Sequence, residues 1–165
     1  MNLFTGTESA DLFGGEVPDS VRHLIEVARN APLQQVQAAL WTAAVSAPDC
    51  LPVYYLLYKL HARLGEFDRA LQAASTGLDA AARAAGLPQD WRAVQPGAAD
   101  FGRPGAARFW LFTLKALAFI GLRRGDRDGV AELVAQLRRL DPQDQLGASV
   151  VETLLRESAS GPAPA

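Results

Sequence analysis

Apolar residues recur along this chain at helical spacing. Val21, Leu24, Ile25 and Ala28 fall three, one and three residues apart, which puts them on one face of a helix. Pro18-Asp19-Ser20 supplies a start signal before them, and Asn30-Ala31-Pro32 a stop after them. Val36, Leu40, Ala43 and Ala44 form the next stripe, with Trp41 beside it and Pro48-Asp49-Cys50 as its break. Tyr54, Leu57, Tyr58 and His61 form a third, and Ala70, Leu71, Ala74, Leu78 and Ala81 a fourth. The apolar stretch 109–122, broken only by Lys115, reads as a core helix, and Leu146, Val150, Val151, Leu154 and Leu155 mark the last one. The pattern predicts helices over about 18–30, 33–47, 52–64, 67–85, 106–124, 127–140 and 143–157. Strict apolar–polar alternation, the mark of a half-buried strand, does not occur.

The connections divide into tight turns and one long interruption. Gly65-Glu66 and Gly125-Asp126 predict close helix–helix turns, and Gly86 with Pro88 ends the helix between them. Residues 86–105, rich in Gly and Pro but holding Trp91 and Phe101, read as a short helical turn near 89–94 and then an inserted loop. Residues 1–17 contain Gly6 and Gly14-Gly15, yet Phe4, Leu12 and Phe13 are too apolar for a free tail. The expectation is an N-terminal arm packed on the body, a helical domain over 18–157, and a disordered Ser/Gly/Pro/Ala tail over 158–165.

Composition agrees with one all-α domain. Of 165 residues, 49% are hydrophobic and 21% charged, a globular balance. Alanine, the best helix former, is abundant. Net charge is −2, so no strong global field draws nucleic acid or an anionic membrane. The distribution is uneven: 51–125 holds ten Lys or Arg against five acids, while both ends are acidic. The start of the chain lacks signal-peptide character. No apolar run reaches the length of a membrane span, and Cys50 stands alone. These features lead to the expectation of a cytoplasmic protein.

Candidate chemistry is sparse. His23 and His61 have no His or Cys at metal-ligand spacing. Cys50 follows a turn with no base indicated nearby. Asp126 and Asp128 straddle a helix start and read as caps. Arg123, Arg124 and Arg127 form a basic knot near Arg138-Arg139, but Asp126, Asp128 and Asp141 dilute it, which argues against a nucleic-acid face. The expectation is no catalytic residue, no metal and no cofactor.

Two segments align. Tyr54, Leu57, Gly65, Phe67, Ala70 and Ala74 correspond to Leu114, Leu117, Gly125, Arg127, Val130 and Val134, and Val36, Leu40 and Ala43 before Pro48 form a weaker copy. Over 51–85 the chain resembles the tetratricopeptide repeat family, whose unit is a 34-residue helical hairpin. Tyr58 stands where that family usually has Gly, and Ala82 where it has Pro. The second helix of this unit, ending Ala84-Ala85-Gly86, also looks like the variant found in bacterial transcriptional activation domains.

The resemblance implies a right-handed stack of antiparallel helical hairpins, about three units, with a C-terminal capping helix. It implies a concave face lined by the first helix of each unit. Carried onto this chain, that face holds Val21 and Ile25, then Tyr55, Lys59 and Arg63, then Lys115, Phe119 and Arg123. Lys59 and Lys115 are the only lysines, and a basic groove favours an acidic protein or peptide partner. Trp91 and Phe101 suggest a second interface. The implied role is a bacterial-type adaptor or chaperone-like scaffold; a secretion-type chaperone, a subunit of a regulatory complex and an enzyme accessory subunit are the alternatives. If the last helix leaves the end of the stack uncovered, a homodimer is the expected outcome.

Overall fold

The computed structural model describes residues 19–161, and among them the chain is all-helical, with no strand. Seven α-helices follow in order: α1 Asp19–Arg29, α2 Leu33–Ser46, α3 Leu51–Arg63, α4 Phe67–Ala85, α5 Ala106–Arg124, α6 Arg127–Leu140 and α7 Ala148–Ala159. A single 3-10 turn, Trp91–Ala93, lies between α4 and α5. Each helix packs on its predecessor and its successor, with the inserted segment between α4 and α5 no exception, and α3, α5 and α7 also touch in that order. The result is a stack of helical hairpins in which α3, α5 and α7 share one layer.

The two tight turns close identically. After α3, Gly65 has φ +74, its N–H donates to the Ala62 carbonyl at 3.1 Å, and the Glu66 N–H donates to His61 O at 2.9 Å. After α5, Gly125 has φ +80, with the matching bonds to Leu122 at 3.1 Å and Gly121 at 3.0 Å. This left-handed ending satisfies carbonyls that the helix leaves open, and a residue with a Cβ adopts it poorly. The turns then diverge. Asp126 caps α6 by accepting from the Gly129 N–H at 3.1 Å, whereas Glu66 makes no cap bond to α4 and turns toward His61. Asp68, in the first turn of α4, pairs with Arg124 at 2.9 Å and ties the start of α4 to the end of α5.

The core runs through α3, α4 and α5. All the stripe residues of α2 are buried, as are Tyr54, Leu57, Tyr58 and His61 of α3. Val53, Leu56 and Leu60 are buried too, so α3 is enclosed on almost every side. Helix α4 presents Ala70, Ala73, Ala74, Ala80 and Ala81, which admits close neighbours. At Gly77 the approach is closest: an added Cβ would lie 2.7 Å from Tyr54 Cβ. Gly121 does the same for α5 and α6, at 2.9 Å from Val130 Cγ2. Helix propensity alone would make Gly77→Ala stabilising by about 1 kcal/mol. The contact with Tyr54 reverses that sign, and we expect a net loss of about 1–2 kcal/mol in denaturant unfolding. A gain in stability would show that α3 and α4 separate freely.

Both bounds of the last helix differ from the sequence reading. The last helix begins at Ala148 and not near residue 143, because Asp141 accepts from the Gln145 N–H at 3.0 Å and the Leu146 N–H at 2.9 Å. Asp144 and Gly147 then take positive φ values of 55 and 74, which no helix accommodates. That helix also continues to Ala159, so Ser158 belongs to it and not to a disordered tail; Arg127 donates to its hydroxyl at 3.0 Å. The inserted segment is docked. Gln136 of α6 donates to the carbonyls of Trp91 at 3.0 Å and Val94 at 2.7 Å, and Arg92 pairs with Glu132 at 2.9 Å. The expected N-terminal arm, 1–17, and the end of the tail, 162–165, lie outside the described residues.

Candidate binding groove

A groove of about 420 Å³ opens on the layer formed by α3, α5 and α7, within the size range of ligand-binding clefts. Helix α3 contributes Tyr55, Tyr58, Lys59 and Ala62. Helix α5 contributes Phe112, Lys115, Ala116, Phe119 and Ile120, and α7 adds Val150 and Val151. Positions 55, 59 and 62, and 112, 116 and 119, are separated by three or four residues, so each set is one helical face.

Four of the six partner-binding residues expected from the sequence line this groove: Tyr55, Lys59, Lys115 and Phe119. Arg63 and Arg123 stand outside the lining. Arg123 instead lies over the Phe67 ring, 5.1 Å from its centroid. Val21 and Ile25 belong to α1, and their side chains lie outside the description. Trp91 and Phe101 are half-buried against the core, Phe101 facing Trp110 at 5.9 Å between ring centroids, and neither reaches the groove.

Aromatic rings form the floor. Tyr55 meets Tyr58 edge-on at 5.6 Å and Phe112 at 5.8 Å. Tyr58, the bulky residue at the position that is Gly in the resembled family, fills the space between α3 and α5 and shares a 3.5 Å hydrogen bond with the Thr113 hydroxyl. Burial pushes its phenol far above the ordinary value, so it stays protonated. Phe119 and Val150 stand at the mouth, 39% and 59% exposed.

The two lysines play different parts. Lys59 donates to the Tyr55 hydroxyl at 3.0 Å and sits 4.8 Å from its ring centroid. Lys115 donates to the Leu146 carbonyl, next to Gly147, and so anchors the turn that leads into α7. Among the described residues neither lysine pairs with a carboxylate. The same turn is held by Asp141 and by Asp144, which accepts from the Ser149 N–H at 3.2 Å and lies 3.5 Å from Arg138. The Ser149 hydrogen bonds, helped by Arg138, hold the Asp144 carboxyl below its usual value.

The densest polar cluster lies elsewhere, between α2, α3 and the turn at Gly65. Trp41 Nε1–H donates to His61 Nε2 at 3.0 Å, and His61 Nδ1 meets Glu66 Oε2 at 2.7 Å. An indole nitrogen only donates, so Nε2 accepts and the imidazole proton sits on Nδ1, aimed at the carboxylate. Gln37 adds a 3.3 Å bond to the same oxygen. His61 is fully buried. Both its nitrogens are engaged within the protein, and it meets one carboxylate, an arrangement that joins helices and leaves no nitrogen for a substrate. Cys50 is buried at the start of α3, and burial pushes its thiol up, which weakens it as a nucleophile.

Sequence reasoning missed Phe112, Tyr58, Ala62, Ala116 and Ile120 as groove residues. The repeat at 112, 116 and 119 was the signal for part of that set. Val150 and Val151 carried none beyond helical periodicity, because their place depends on the turn over 141–147. Among the described residues no group of three His, Cys, Asp or Glu side chains could hold a metal ion, and no helix is long and apolar enough to cross a membrane. No protein-family model, curated protein or solved structure matches the chain.

Proposed function

We propose that this chain is a tetratricopeptide-type binding module that captures an acidic, amphipathic peptide or protein segment in the α3/α5/α7 groove. The observation that carries the reading is the groove's composition: an aromatic floor flanked by two lysines with no carboxylate partner among the described residues. An apolar ligand face would fill the floor, and acids beside it would meet Lys59. The identical glycine turns and the alternating layer of helices support the repeat assignment. The reading is of a scaffold, not an enzyme: His61 has both nitrogens engaged and Cys50 is buried. It sets the chain in the cytoplasm, where a lone cysteine stays reduced.

The test uses Lys59→Glu together with Phe119→Asp, both on half-buried or exposed positions. Lys115 is left alone because it anchors α7. Binding of a synthetic acidic amphipathic helix, followed by calorimetry, is expected to weaken by at least tenfold, with unchanged helicity by circular dichroism. Each buried hot-spot contact contributes about 2 kcal/mol or more, so tenfold is a modest threshold. Unaltered binding would place the ligand surface elsewhere.

A further inference from the structure

We infer that the groove's resident occupant is this chain's own N-terminal arm, residues 1–17. The inference rests on the groove reading above and adds a regulator to it.

Three features converge. The first is charge. The arm carries Glu8, Asp11 and Glu16 and no Lys or Arg. The groove holds both lysines of the chain, and neither has a carboxylate partner among the described residues. Oppositely charged surfaces tethered on one chain meet at high effective concentration.

The second is side-chain chemistry. The arm contains the pair Leu-Phe twice, as Leu3-Phe4 and Leu12-Phe13, and Asp11 directly precedes the second pair. The groove offers a Phe and Tyr floor with Val150 at its rim and a cation at Lys59. An aliphatic–aromatic pair next to an acid is the ligand such a surface selects, since aromatic rings pair favourably at offset or edge-on geometry.

The third is reach. Phe13 precedes the first residue of α1, Asp19, by six positions and Phe4 by fifteen. At roughly 3.3 Å per residue these spans extend to about 20 and 50 Å. Helix α1 is two helices from α3 in the stack, about 16–20 Å at ordinary helix spacing. The second pair just reaches the α3 side of the groove, and the first reaches it with slack. Bound there, the arm would shield Phe119 and Val150 and compete with any acidic partner. A partner would then capture the module by displacing a weak internal ligand.

The scarcity of lysine makes the test unusually clean. Zero-length carbodiimide coupling of the full chain joins carboxylates to lysines in contact, and only Lys59 and Lys115 can respond in the side chains. Peptide mapping is expected to find Glu8, Asp11 or Glu16 joined to Lys59 within one chain. Links confined to carboxylates of 19–161 would overturn the inference. So would arm links found only between isotope-labelled and unlabelled copies in a mixture, because the arm would then belong to a neighbour's groove.

A second measurement separates this inference from the groove reading. A synthetic peptide of residues 1–17 is titrated into the full chain and into a full-length variant with Leu3, Phe4, Leu12 and Phe13 each replaced by Ser. Release of the internal competitor is expected to raise peptide affinity about tenfold in the variant. Equal binding to both chains removes the arm from the groove and leaves the groove intact. Binding to neither chain removes both.

Discussion

His61→Ala is expected to lower the unfolding free energy by about 3–5 kcal/mol, well above the roughly 1 kcal/mol of an average substitution. Two losses add. The ring is fully buried, so truncation leaves a cavity, which costs about 2–5 kcal/mol at other large-to-small core sites. The Trp41 indole N–H, now bonded to Nε2 at 3.0 Å, loses its acceptor, and because the Trp41 ring is half-buried the stranded donor adds about 1 kcal/mol, the lower end of the range for unpaired groups. Glu66 keeps Gln37 and partial solvent access, so its share is small. His61→Leu refills the space but not the acceptor, and is expected to cost about half as much. Adding Trp41→Phe to His61→Leu removes the stranded donor and should recover most of the remainder, because deleting both partners of a buried pair is far cheaper than deleting one. Denaturant unfolding of the wild type, His61→Leu, Trp41→Phe and the double variant closes the cycle and gives the coupling directly. A cost below about 0.5 kcal/mol for His61→Ala would mean that the three groups do not act as a unit.

That cluster also shows what a helical sequence conceals. The stripe Tyr54, Leu57, Tyr58 and His61 placed the imidazole on a buried face, because periodicity reports burial and little else. It could not say that Trp41, on the preceding helix, and Glu66, in the following turn, would converge on its two nitrogens. Those partners depend on how α2 crosses α3, a tertiary fact. Glu66 precedes α4 but pairs with His61, and Asp68 supplies the acid in the first turn of α4, bonded to Arg124.

The helices themselves were legible, since every long one has a period, a breaker and a matched ending. Gly65 and Gly125 marked their turns correctly because a left-handed helix ending is a backbone requirement that sequence displays openly. The groove was half legible. Lys59, Tyr55, Lys115 and Phe119 were found because one face of a first helix repeats at fixed spacing. Stepping that spacing onward to Arg63 and Arg123 left the lining, although Ala62 and Ile120 belong to it, because each step of four residues drifts about 40° around the helix and two steps turn the side chain off the groove face. The insertion reads from the sequence as a short helical turn and then a loop, with nothing to say where it docks. Its ordering comes from Gln136, forty-odd residues later, which supplies donors to two of its carbonyls.

The third wall was the least legible, and it gives the other large expected effect. Asp141→Ala is expected to destabilise the segment from 141 to the end of α7 by about 2–4 kcal/mol and to weaken groove binding with it. The Asp141 carboxylate is buried and accepts from two consecutive backbone amides, Gln145 and Leu146. Bonds to an ionised acceptor are worth about twice a neutral one, and the stranded amides then add a desolvation cost. The consequence passes through one atom. Leu146 supplies the carbonyl held by Lys115, and Gly147 precedes the first residue of the helix that carries Val150 and Val151. Losing the Asp141 bonds therefore frees the helix from α5 and removes the valine side of the groove, while α3, α4 and α5 keep their core. Hydrogen exchange should rise across 145–159 and remain slow in α3 and α5, a local opening and not a global one. Asp141→Asn, which still accepts one bond but carries no charge, should give an intermediate value. Lys115→Met should reproduce part of the exchange pattern from the opposite side of the same carbonyl. If Asp141→Ala raised exchange uniformly, the turn would be part of one cooperative core; if it left α7 protected, the packing of Val151 on α5 would hold the helix without the turn.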